Sequence, residues 1–557
     1  MPFQLSPGVA VVEKDFSNIV PAVSSSIGAF AGSFPWGPVL EPTTISSENV
    51  LVQQFGKPNN SNYSSFFSAA NFLSYASNLL LVRADSTTGT NASADGTGIK
   101  VKNYDDYLAQ YQYGGSAIGE YAAKYPGTLG NSLTVSYADS ASFGAWVYKS
   151  SFDSAPGTSA FVAGVSGSQD EMHIVVVDTN GVWTGSPGSI LEKFAFVSKA
   201  GDAKTSDGTN NHYKEVLNIR SKYVWWMEYP VAGTNWGDAA AGTTFVNTTD
   251  TLDLLGGVDD YVMTAGQQQA AYALFADADM YDISLIIAGK ATAATAAIIA
   301  GIAQTRGDCV AFISPEEVVT GFIIIGNTST ETNKVIAYRN AVTVAHSYAV
   351  MDSGYKYQYD RYNDVYRYIP LNADVAGLCA RADFTNDPWW SPGGFNRGQI
   401  KNIVRLAHNP DKTNRDTLYK SNVNPVVSFR GQGVVLYGDK TMQTKPSAFD
   451  RINVRRLFIV LEKAISTAAK FQLFEFNDGF TRAQFKNTIE PFLRDVQGRR
   501  GIVDFRVVCD STNNTGEVVD RSEFIADIYI KPNHSINYIT LNFVAARSSA
   551  NFTEIGG

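Results

Sequence analysis

The sequence predicts a multidomain protein of mixed α/β and α+β class, and three observations lead to this prediction. First, 557 residues exceed what one hydrophobic core usually supports, and a hydrophobic content of 44% is enough to fold most of the chain. Second, strands alternate with helices from about residue 210 to 350, which is typical of a largely parallel sheet covered by helices. Third, the region from about 100 to 200 is strand-like with many turns, which indicates an inserted β-rich domain.

The N-terminal part contains short strands and one helix before a polar stretch. A first strand holds Val9 and Val11 on one face, and "SSSIGAFAGSFPWGP" (24–38) favours a strand followed by a tight turn. A helix is predicted over Ser64–Ser77, leading into a strand over Leu79–Arg83. The composition then changes to Gly, Ser and Thr in "DSTTGTNASADGTG", which is typical of a domain boundary.

The alternating region contributes three predicted strands and three predicted helices. One apolar stretch in it, Ser284–Ala303, has the length of a membrane span, but it carries Lys290 near its middle and is mostly Ala, Thr and Gly. We therefore expect a buried strand and a small-residue helix there. The predicted elements are a strand in "SKYVWWMEY" (221–229), a helix over Gln267–Ala276, a strand over Ser284–Ala288, a helix over Thr292–Arg306, a strand in "DCVAFIS" (308–314) and a helix around Asn333–Asp352.

The C-terminal part predicts two helices followed by three strands. The second helix, Arg482–Val496, contains Pro491, so it is either kinked there or divided into two pieces. The last strand, Tyr538–Ala545, alternates strictly, with Ile539, Leu541 and Phe543 on one face, which is the signature of a half-buried strand. The other elements are a helix over Asn453–Thr467, a strand over Asp504–Cys509 and a strand in "RSEFIADIYIKP" (521–532).

Composition excludes some classes of partner and leaves others open. The formal net charge is −9 without a long basic run, which argues against nucleic acid. The N-terminus has neither the basic nor the apolar region of a signal peptide, and Cys309, Cys379 and Cys509 are too far apart for a zinc or redox motif. We expect buried thiols and assembly in a reducing cytoplasm. The low charged fraction, 17%, and the 28 tyrosines suit extensive protein–protein contact, although a Ser/Thr-rich soluble enzyme fits about as well.

Motifs for catalysis and cofactor binding are weak or incomplete. "GQGVVLYG", from Gly431, begins like a dinucleotide loop, but Leu436 occupies the third glycine position. Lys290 follows Gly289, yet the first glycine of a phosphate-binding loop is replaced by Ser284. The histidines lack a second ligand at metal-binding spacing. We expect no cofactor, no metal and no catalytic residue. The five histidines are His173, His212, His346, His408 and His534.

Eight segments in order resemble the sheath proteins of contractile phage tails and related injection machines. The most specific is "VAGLCARADFTNDPWWSPGGFNRGQI" (375–400), where Ser391-Pro392-Gly393-Gly394 differs slightly from the commoner Ala-Pro-Ala-Gly. The matches span nearly the whole chain, and the region from about 96 to 200 carries little beyond the segment 122–136. The other seven are "SPGVAVVEKD" (6–15), "GAFAGSFPWGP" (28–38), "AAKYPGTLGNSLTVS" (122–136), "RGDCVAFIS" (306–314), "NPVVSFRGQGVVLYGDKTM" (424–442), "INVRRLFIVLEKAI" (452–465) and "FVAARSSANFTEI" (543–555).

The resemblance implies a domain plan in which the middle domain is a subtilisin-like α/β domain and the C-terminal sheath domain is α+β with exchanged terminal β-arms. It also implies a variable, protruding character for the inserted domain. The expected divisions are an N-terminal arm strand (1–20), the first part of the α/β sheath domain (21–95), the inserted β-rich protruding domain (96–200), the subtilisin-like middle domain (201–440), the C-terminal sheath domain (441–535) and the C-terminal arm (536–557).

The function implied is that of a structural subunit in the virion, not an enzyme. Subunits of the family polymerise helically around a tail tube and contract to drive that tube through the host envelope. The implied partners are other copies of the chain, the tail tube protein, and the baseplate and tail terminator proteins, without nucleic acid or membrane insertion. A non-viral contractile injection sheath is an alternative, and a subtilisin-like hydrolase is a less favoured one.

Two sets of residues are candidates for contacts between molecules. In the family the terminal arms are exchanged between neighbouring subunits, which assigns Val9, Val11, Tyr538, Ile539, Leu541 and Phe543 to intersubunit strands; pairing of the last strand within its own chain is the alternative. Family sheaths also present a C-terminal helix to the tube. In the stretch 481–501 we expect Phe485, Ile489, Phe492, Leu493 and Val496 to pack inward and Arg482, Lys486, Arg499 and Arg500 to face the tube, with ordinary solvated charges as the alternative.

Overall fold

The computed structural model describes residues 23–115, 118–230 and 235–537, which form two compact units. The main unit contains residues 23–388 and 392–455, and the C-terminal unit contains 389–391 and 456–537. The described strands are β1 (Gly28–Gly32), β2 (Thr43–Ile45), β3 (Leu79–Arg83), β4 (Tyr121–Ala123), β5 (Leu133–Asp139), β6 (Glu171–Asp178), β7 (Ser189–Ser198), β8 (Val224–Trp226), β9 (Asp250–Asp253), β10 (Leu285–Ile287), β11 (Val310–Ile313), β12 (Ala349–Met351), β13 (Tyr355–Asp360), β14 (Val365–Pro370), β15 (Arg405–Leu406), β16 (Val426–Phe429), β17 (Gly433–Leu436), β18 (Ile502–Val508) and β19 (Asp527–Pro532).

The described helices begin at residue 48 and end at residue 520. They are α1 (Glu48–Phe55), α2 (Tyr63–Leu73), α3 (Tyr104–Gln110), α4 (Ala160–Gly164), α5 (Tyr213–Arg220), α6 (Ala265–Ala273), α7 (Ala293–Arg306), α8 (Ser329–Ala341), α9 (Asn372–Thr385), α10 (Lys412–Lys420), α11 (Ile452–Lys470), α12 (Gly479–Gly498) and α13 (Gly516–Asp520).

A six-stranded sheet with the order β12-β11-β10-β1-β3-β2 forms the centre of the main unit. Its first five strands are parallel, and β2 is antiparallel to β3 at the edge. The central strands are short apolar runs such as "GAFAG" and "VAFI" that are buried on both faces, as parallel sheets covered by helices require. This part confirms the predicted parallel sheet.

Helices cover both faces of this sheet. On one face, Ala29, Ile286 and Ala311 pack in a core with the inward sides of α6, α7 and α8. On the other face, α2 packs on β1 and β3, and α9 packs on β10 and β11. Backbone approach is close there, since a Cβ on Gly28 would lie 2.5 Å from the Phe72 ring. The predicted strand and helix over 284–306 are confirmed as β10 and α7, and among the described residues no helix is long and apolar enough to span a membrane.

A β-rich region lies between the first three strands of that sheet and its remaining strands. Four strands form an antiparallel sheet with the order β7-β6-β5-β9, and β4 pairs with β8. Strand β5 is buried along its whole length because it is central and covered on both sides. The segment 221–229, expected in the alternating α/β part, instead supplies β8 to this region because its partner is β4.

The chain enters and leaves this β-rich region through two neighbouring segments. Thr90 bridges Val258 and Ser93 bridges Leu255, so the polar stretch expected as a linker is paired to the returning chain. A Cβ on Gly256 would lie 2.5 Å from the Gly96 carbonyl oxygen, and only glycine permits this approach. The β-rich pairing therefore extends to Asp253 and the crossing beyond it, past the expected boundary at residue 200.

One predicted helix is wrong in its C-terminal half. The helix expected around Asn333–Asp352 ends at Ala341, and residues 349–351 form β12, which pairs with β11. Thr343 has a positive φ of 56°, a conformation that a β-branched residue adopts only when the surrounding structure demands it. Pairing with the buried edge of β11 thus overrides the helical spacing of the apolar residues.

The C-terminal unit has a small core between two helices and one two-stranded sheet. Helix α12 begins at the N-cap Asp478, whose carboxylate accepts a hydrogen bond from the Thr481 backbone N–H at 2.8 Å. The helix continues through Pro491 as one element, so it is not divided into two pieces there. Its buried side chains pack with α11, β18 and β19, and those of α12 are Phe485, Ile489, Leu493 and Val496.

Candidate assembly surfaces

We searched the described residues for side chains that could bind a metal ion or react as thiolates. No group of three or more His, Cys, Asp and Glu side chains within residues 23–115, 118–230 and 235–537 is arranged to hold a metal ion. Cys309, Cys379 and Cys509 are buried and not disulfide-bonded, which confirms the prediction of buried thiols. Burial also raises the pKa of the Cys509 thiol, which lowers the fraction present as a reactive thiolate.

Two histidines show how the imidazole rings are used. The His173 ring lies 2.9 Å from the Ser154 carbonyl oxygen, accepts a hydrogen bond from the Phe196 N–H and stacks on Phe152 at 4.2 Å. His212 is buried, and its burial lowers the pKa to about 4, so it is neutral at pH 7. Both rings therefore act as packing groups.

The glycine pattern at Gly431 belongs to a β-hairpin. Strands β16 and β17 are antiparallel and are joined by residues 430–432, with Gly431 at φ 75° and Gly433 at φ 82°. A dinucleotide loop requires a strand, a loop and then a helix. The hairpin explains the glycines by their left-handed backbone conformation.

Buried polar groups follow the carboxyl ends of β11 and β12, where α/β proteins often bind ligands. Ser314 donates a hydrogen bond to the Asp352 carboxylate at 2.6 Å and accepts one from the Asn372 backbone N–H at 2.9 Å. Tyr355 donates to Glu316 at 2.9 Å. Burial raises the pKa of Asp352 to about 8 and that of Glu316 to about 7. These bonds tie the start of α9 and strand β13 to the strand ends, which is a structural role.

A buried ion pair lies beside this network. Lys356 Nζ is 2.8 Å from Asp374 Oδ1, and both side chains have 0% exposure. Tyr75 also donates to Asp374 at 3.0 Å, and Lys356 donates to the Lys401 carbonyl oxygen at 2.9 Å. Burial raises the pKa of Asp374 and lowers that of Lys356, while their mutual attraction opposes both shifts. The pair joins β13, α9 and the segment that follows α2 inside the main unit.

The four tube-facing candidates lie at the two ends of α12, and each has a partner within the C-terminal unit. Arg482 and Lys486 are half-buried rather than exposed, whereas Arg499 and Arg500 are exposed. Arg482 donates two hydrogen bonds to Asn477, and Arg500 lies over the Trp390 ring at 5.5 Å.

Acidic residues on α12 reduce the positive charge of this surface. Lys486 lies 3.7 Å from Glu490, and Arg499 lies 3.2 Å from Asp495, each four residues along the helix. Exposed pairs of this kind contribute about 0–1 kcal/mol to stability and exchange partners easily. Phe492 is half-buried, and the other four residues expected to pack inward are buried.

The segment between α11 and α12 exposes an unusual amount of apolar surface, which sequence reasoning missed. We define the aromatic segment as residues 471–480. The density of phenylalanine in "FQLFEFNDGF" was the available signal, because soluble surfaces rarely expose such clusters without a partner. Its exposed apolar side chains are Phe471 (69%), Leu473 (64%), Phe474 (105%), Phe476 (85%) and Phe480 (76%).

Strands β18 and β19 form a sheet with unpaired edges in the part of the chain that the structure describes. They pair antiparallel, from Ile502 with Pro532 to Val508 with Asp527, and neither pairs with another described strand. Each therefore has one edge that pairs with no other described strand, and an extended segment can add to an edge of this kind. The candidate arm residues Val9, Val11, Tyr538, Ile539, Leu541 and Phe543 lie outside the described residues.

Three family models match the chain in sequential order. Residues 26–84 match the tail sheath protein Gp18 domain III N-terminal region, and residues 310–442 match the phage tail sheath protein central domain. Residues 444–546 match the phage tail sheath C-terminal domain. The unmatched part, 85–309, contains the whole β-rich region.

Similar proteins are known both in sequence and in structure. The tail sheath proteins of Vibrio phage KVP40 and Enterobacteria phage T4 are each 33% identical to this chain over 99% of its length. The match covers 100% of the KVP40 protein and 99% of the T4 protein. A sheath tail protein from Listeria innocua shares the fold, with a TM-score of 0.53, 12% identity and coverage of 92% of this chain and 96% of that one. The helical sheath of the anti-feeding prophage in its contracted state gives a TM-score of 0.52, 11% identity and coverage of 98% and 100%. The chain therefore belongs to the phage tail sheath protein family.

Proposed function

We propose that this protein is the subunit of a contractile phage tail sheath, which polymerises helically around the tail tube and contracts to drive the tube through the host cell envelope. The observation that carries the proposal is the 33% identity to phage tail sheath proteins over 99% of the chain. A sheath of a non-viral contractile injection system is the second candidate, because the anti-feeding prophage sheath shares the fold. The identity to phage proteins favours the first.

The domain plan is part of the proposal. The six-stranded, mostly parallel sheet with helices on both faces supports a subtilisin-like α/β middle domain that also includes the segment containing β1 to β3. We place the protruding domain in the β-rich region, with its end moved from 200 to the crossing at about 253–258. Fold does not confer activity, and a serine-hydrolase probe that labelled one serine would support the enzyme alternative.

Exchange of the terminal arms is proposed on the basis of the free edges of β18 and β19. A two-stranded sheet is marginal on its own, and strand addition from neighbouring copies would extend it with main-chain hydrogen bonds. The alternation of Tyr538–Ala545 suits this role, and the sequence predicts a corresponding N-terminal strand that contains Val9 and Val11. Such pairing would keep subunits connected while the rest of their contacts change.

Contraction is proposed as a change between two packings of the subunits. A few kcal/mol per subunit is sufficient, because the difference adds over many copies in a helical array. The aromatic segment would be covered by a neighbouring copy in the sheath, since apolar area of this size is costly to leave in water. Baseplate and tail terminator proteins would hold the two ends of the array.

The contact with the tail tube is assigned to α12. Arg482, Lys486, Arg499 and Arg500 would bind acidic residues of the tube, exchanging partners such as Glu490 and Asp495 for groups on the tube. Contacts of this kind are screened by salt, which suits a tube that must later move past the sheath. Binding of the purified tail tube protein that does not weaken as salt is raised would contradict this assignment.

Electron microscopy of the purified full-length chain, compared with a version lacking residues 536–557, tests self-assembly. We expect hollow tubes from the full chain and none from the truncated chain, whose folding is checked by circular dichroism. Tubes from both would contradict the role of the terminal strand. Discrete particles from both, at high concentration and with tail tube protein added, would contradict the sheath function.

A further inference from the structure

A small polar cavity lies at the C-terminal end of α9 in the main unit. Its volume is about 190 Å³, and it is lined by Arg381, Ala382, Thr385, Asn386, Asn396 and Arg397. Sites for drug-sized molecules typically enclose roughly 300–1,000 Å³ and are mostly apolar. This cavity is smaller and offers guanidinium and amide groups, so its dimensions suit a single side chain or a small anion.

The charge of the cavity is positive. The Arg381 side chain makes no hydrogen bond or ion pair with another residue in the part of the chain that the structure describes, so its N–H donors can serve a ligand. The C-terminal end of α9 contributes about half a negative charge, which the full positive charge of the Arg381 guanidinium outweighs. An anion is therefore the class of ligand that the cavity attracts.

Lys401 reports the same positive environment. Burial lowers the pKa of Lys401, and repulsion by Arg381 lowers it further, whereas Asp374 opposes these effects. Asp374 is already engaged by Lys356 and Tyr75. The Asp374 carboxylate therefore makes its short contacts with these partners.

Two residues that line the cavity are preceded in the sequence by exposed aromatic residues. Phe384 (66% exposed) precedes Thr385, and Phe395 (42% exposed) precedes Asn396. Phe395 packs against Phe429 at 5.1 Å, and Arg415 lies over the Phe429 ring at 5.6 Å. Arginine and large aromatic residues are enriched where proteins bind one another.

We propose that this cavity receives the carboxylate side chain of an Asp or Glu residue from a second copy of the chain. The proposal rests on the helical assembly proposed above. A planar carboxylate matches the forked donors of arginine. A second copy fits because every copy presents a net-acidic surface, with 53 Asp and Glu against 44 Lys and Arg, to the cationic cavity of its neighbour.

Crosslinking of the Arg381→Lys variant identifies the occupant. Assembled tubes made from a mixture of isotope-labelled and unlabelled chains are treated with a carbodiimide, which joins an amine to a carboxylate in direct contact. We expect mass spectrometry to detect a crosslink between position 381 and one Asp or Glu. The crosslink should join labelled with unlabelled peptides, and it should form in tubes but not in unassembled subunits. Crosslinks within one chain only, or none at position 381, would overturn the proposal.

The Arg381→Ala variant measures the effect on assembly. We expect the concentration of unassembled subunits in equilibrium with tubes to rise about tenfold, with a weaker dependence on salt. Arg220→Ala is the matched control, because Arg220 is an exposed arginine in the last turn of another helix of the main unit. Circular dichroism confirms that each variant is folded, and equal values for Arg381→Ala and the original chain would contradict the proposal.

Titration of the subunit with inorganic phosphate separates the two sources of an anion. Phosphate binding that requires Arg381 while Arg381→Ala assembles normally would assign the cavity to a free anion and overturn the proposed occupant. Failure of the unsubstituted chain to form tubes would contradict the proposed function, and the occupant with it. Normal tubes without the crosslink would contradict only the occupant.

Discussion

The main unit and the C-terminal unit differ in which groups they bury and which they expose. The main unit buries an ion pair, Lys356 with Asp374, and two acids whose pKa values are raised by burial, Glu316 and Asp352. The C-terminal unit buries few side chains but exposes the aromatic segment and the edges of β18 and β19. The first pattern stabilises the interior of a scaffold, and the second is typical of a surface that a partner covers.

Loss of one partner of the buried ion pair should give the largest effect. We expect Lys356→Met to lower the free energy of unfolding of the main unit by about 3–5 kcal/mol, because Asp374 is left buried without a cation. The double variant Lys356→Met/Asp374→Asn should recover much of this loss, since it removes the lone charge. Urea denaturation followed by tryptophan fluorescence measures the free energy of unfolding of both variants. A decrease of less than about 1 kcal/mol in the single variant would show that the ion pair contributes little to the stability of the main unit.

The pH dependence of the main unit should reveal its buried acids. Burial raises the pKa of Glu316 to about 7 in the folded chain, so the folded state holds a proton that the unfolded state releases above about pH 4.5. Stability should therefore fall by on the order of 3 kcal/mol as pH rises from about 4.5 to 7, and Glu316→Gln should remove this contribution.

The neighbouring acid provides the control for this measurement. Glu317 is half-buried and pairs with Lys334, and hydrogen bonds and this pairing lower its pKa, so Glu317→Gln should leave the pH dependence above pH 4.5 nearly as it is in the original chain. Urea denaturation at several values between pH 4.5 and 8 distinguishes the two variants. Equal pH profiles for both would mean that Glu316 does not retain its proton in the folded state.

The smallest effect on stability should come from the aromatic segment. We expect the double variant Phe474→Ser/Phe476→Ser to change the free energy of unfolding by less than about 0.5 kcal/mol, because both rings are already in water. Tube formation, in contrast, should be lost or greatly weakened. Phe485→Ser is the control, because Phe485 is buried in the C-terminal core and should cost about 3–5 kcal/mol. Thermal unfolding and electron microscopy give the two readouts, and normal tubes from the double variant would remove the aromatic segment from the interface.

The candidate surfaces were only partly predictable from sequence. Period and composition predicted that Phe485, Ile489, Leu493 and Val496 line one face of a helix, and the structure buries them. The partners of Lys486 and Arg499 were missed, although Glu490 and Asp495 lie four residues away from them on the same helix, a spacing that brings side chains together. The cavity at Arg381 could not be predicted, because it depends on how the residues after α9 turn back past its last turn.

The sequence by itself determined the elements whose signals are local. Short apolar runs marked β1, β3, β10 and β11, and small-residue periodicity with a glycine at its end marked α7, because burial on both faces and helical capping act within a few residues. Tertiary structure decided everything that depends on a distant partner. Residues 349–351 are a strand because β11 offers an edge, and β8 belongs to the β-rich region because β4 lies beside it. Strand pairing and charge burial are settled by neighbours far along the chain, and a single sequence does not specify those neighbours locally.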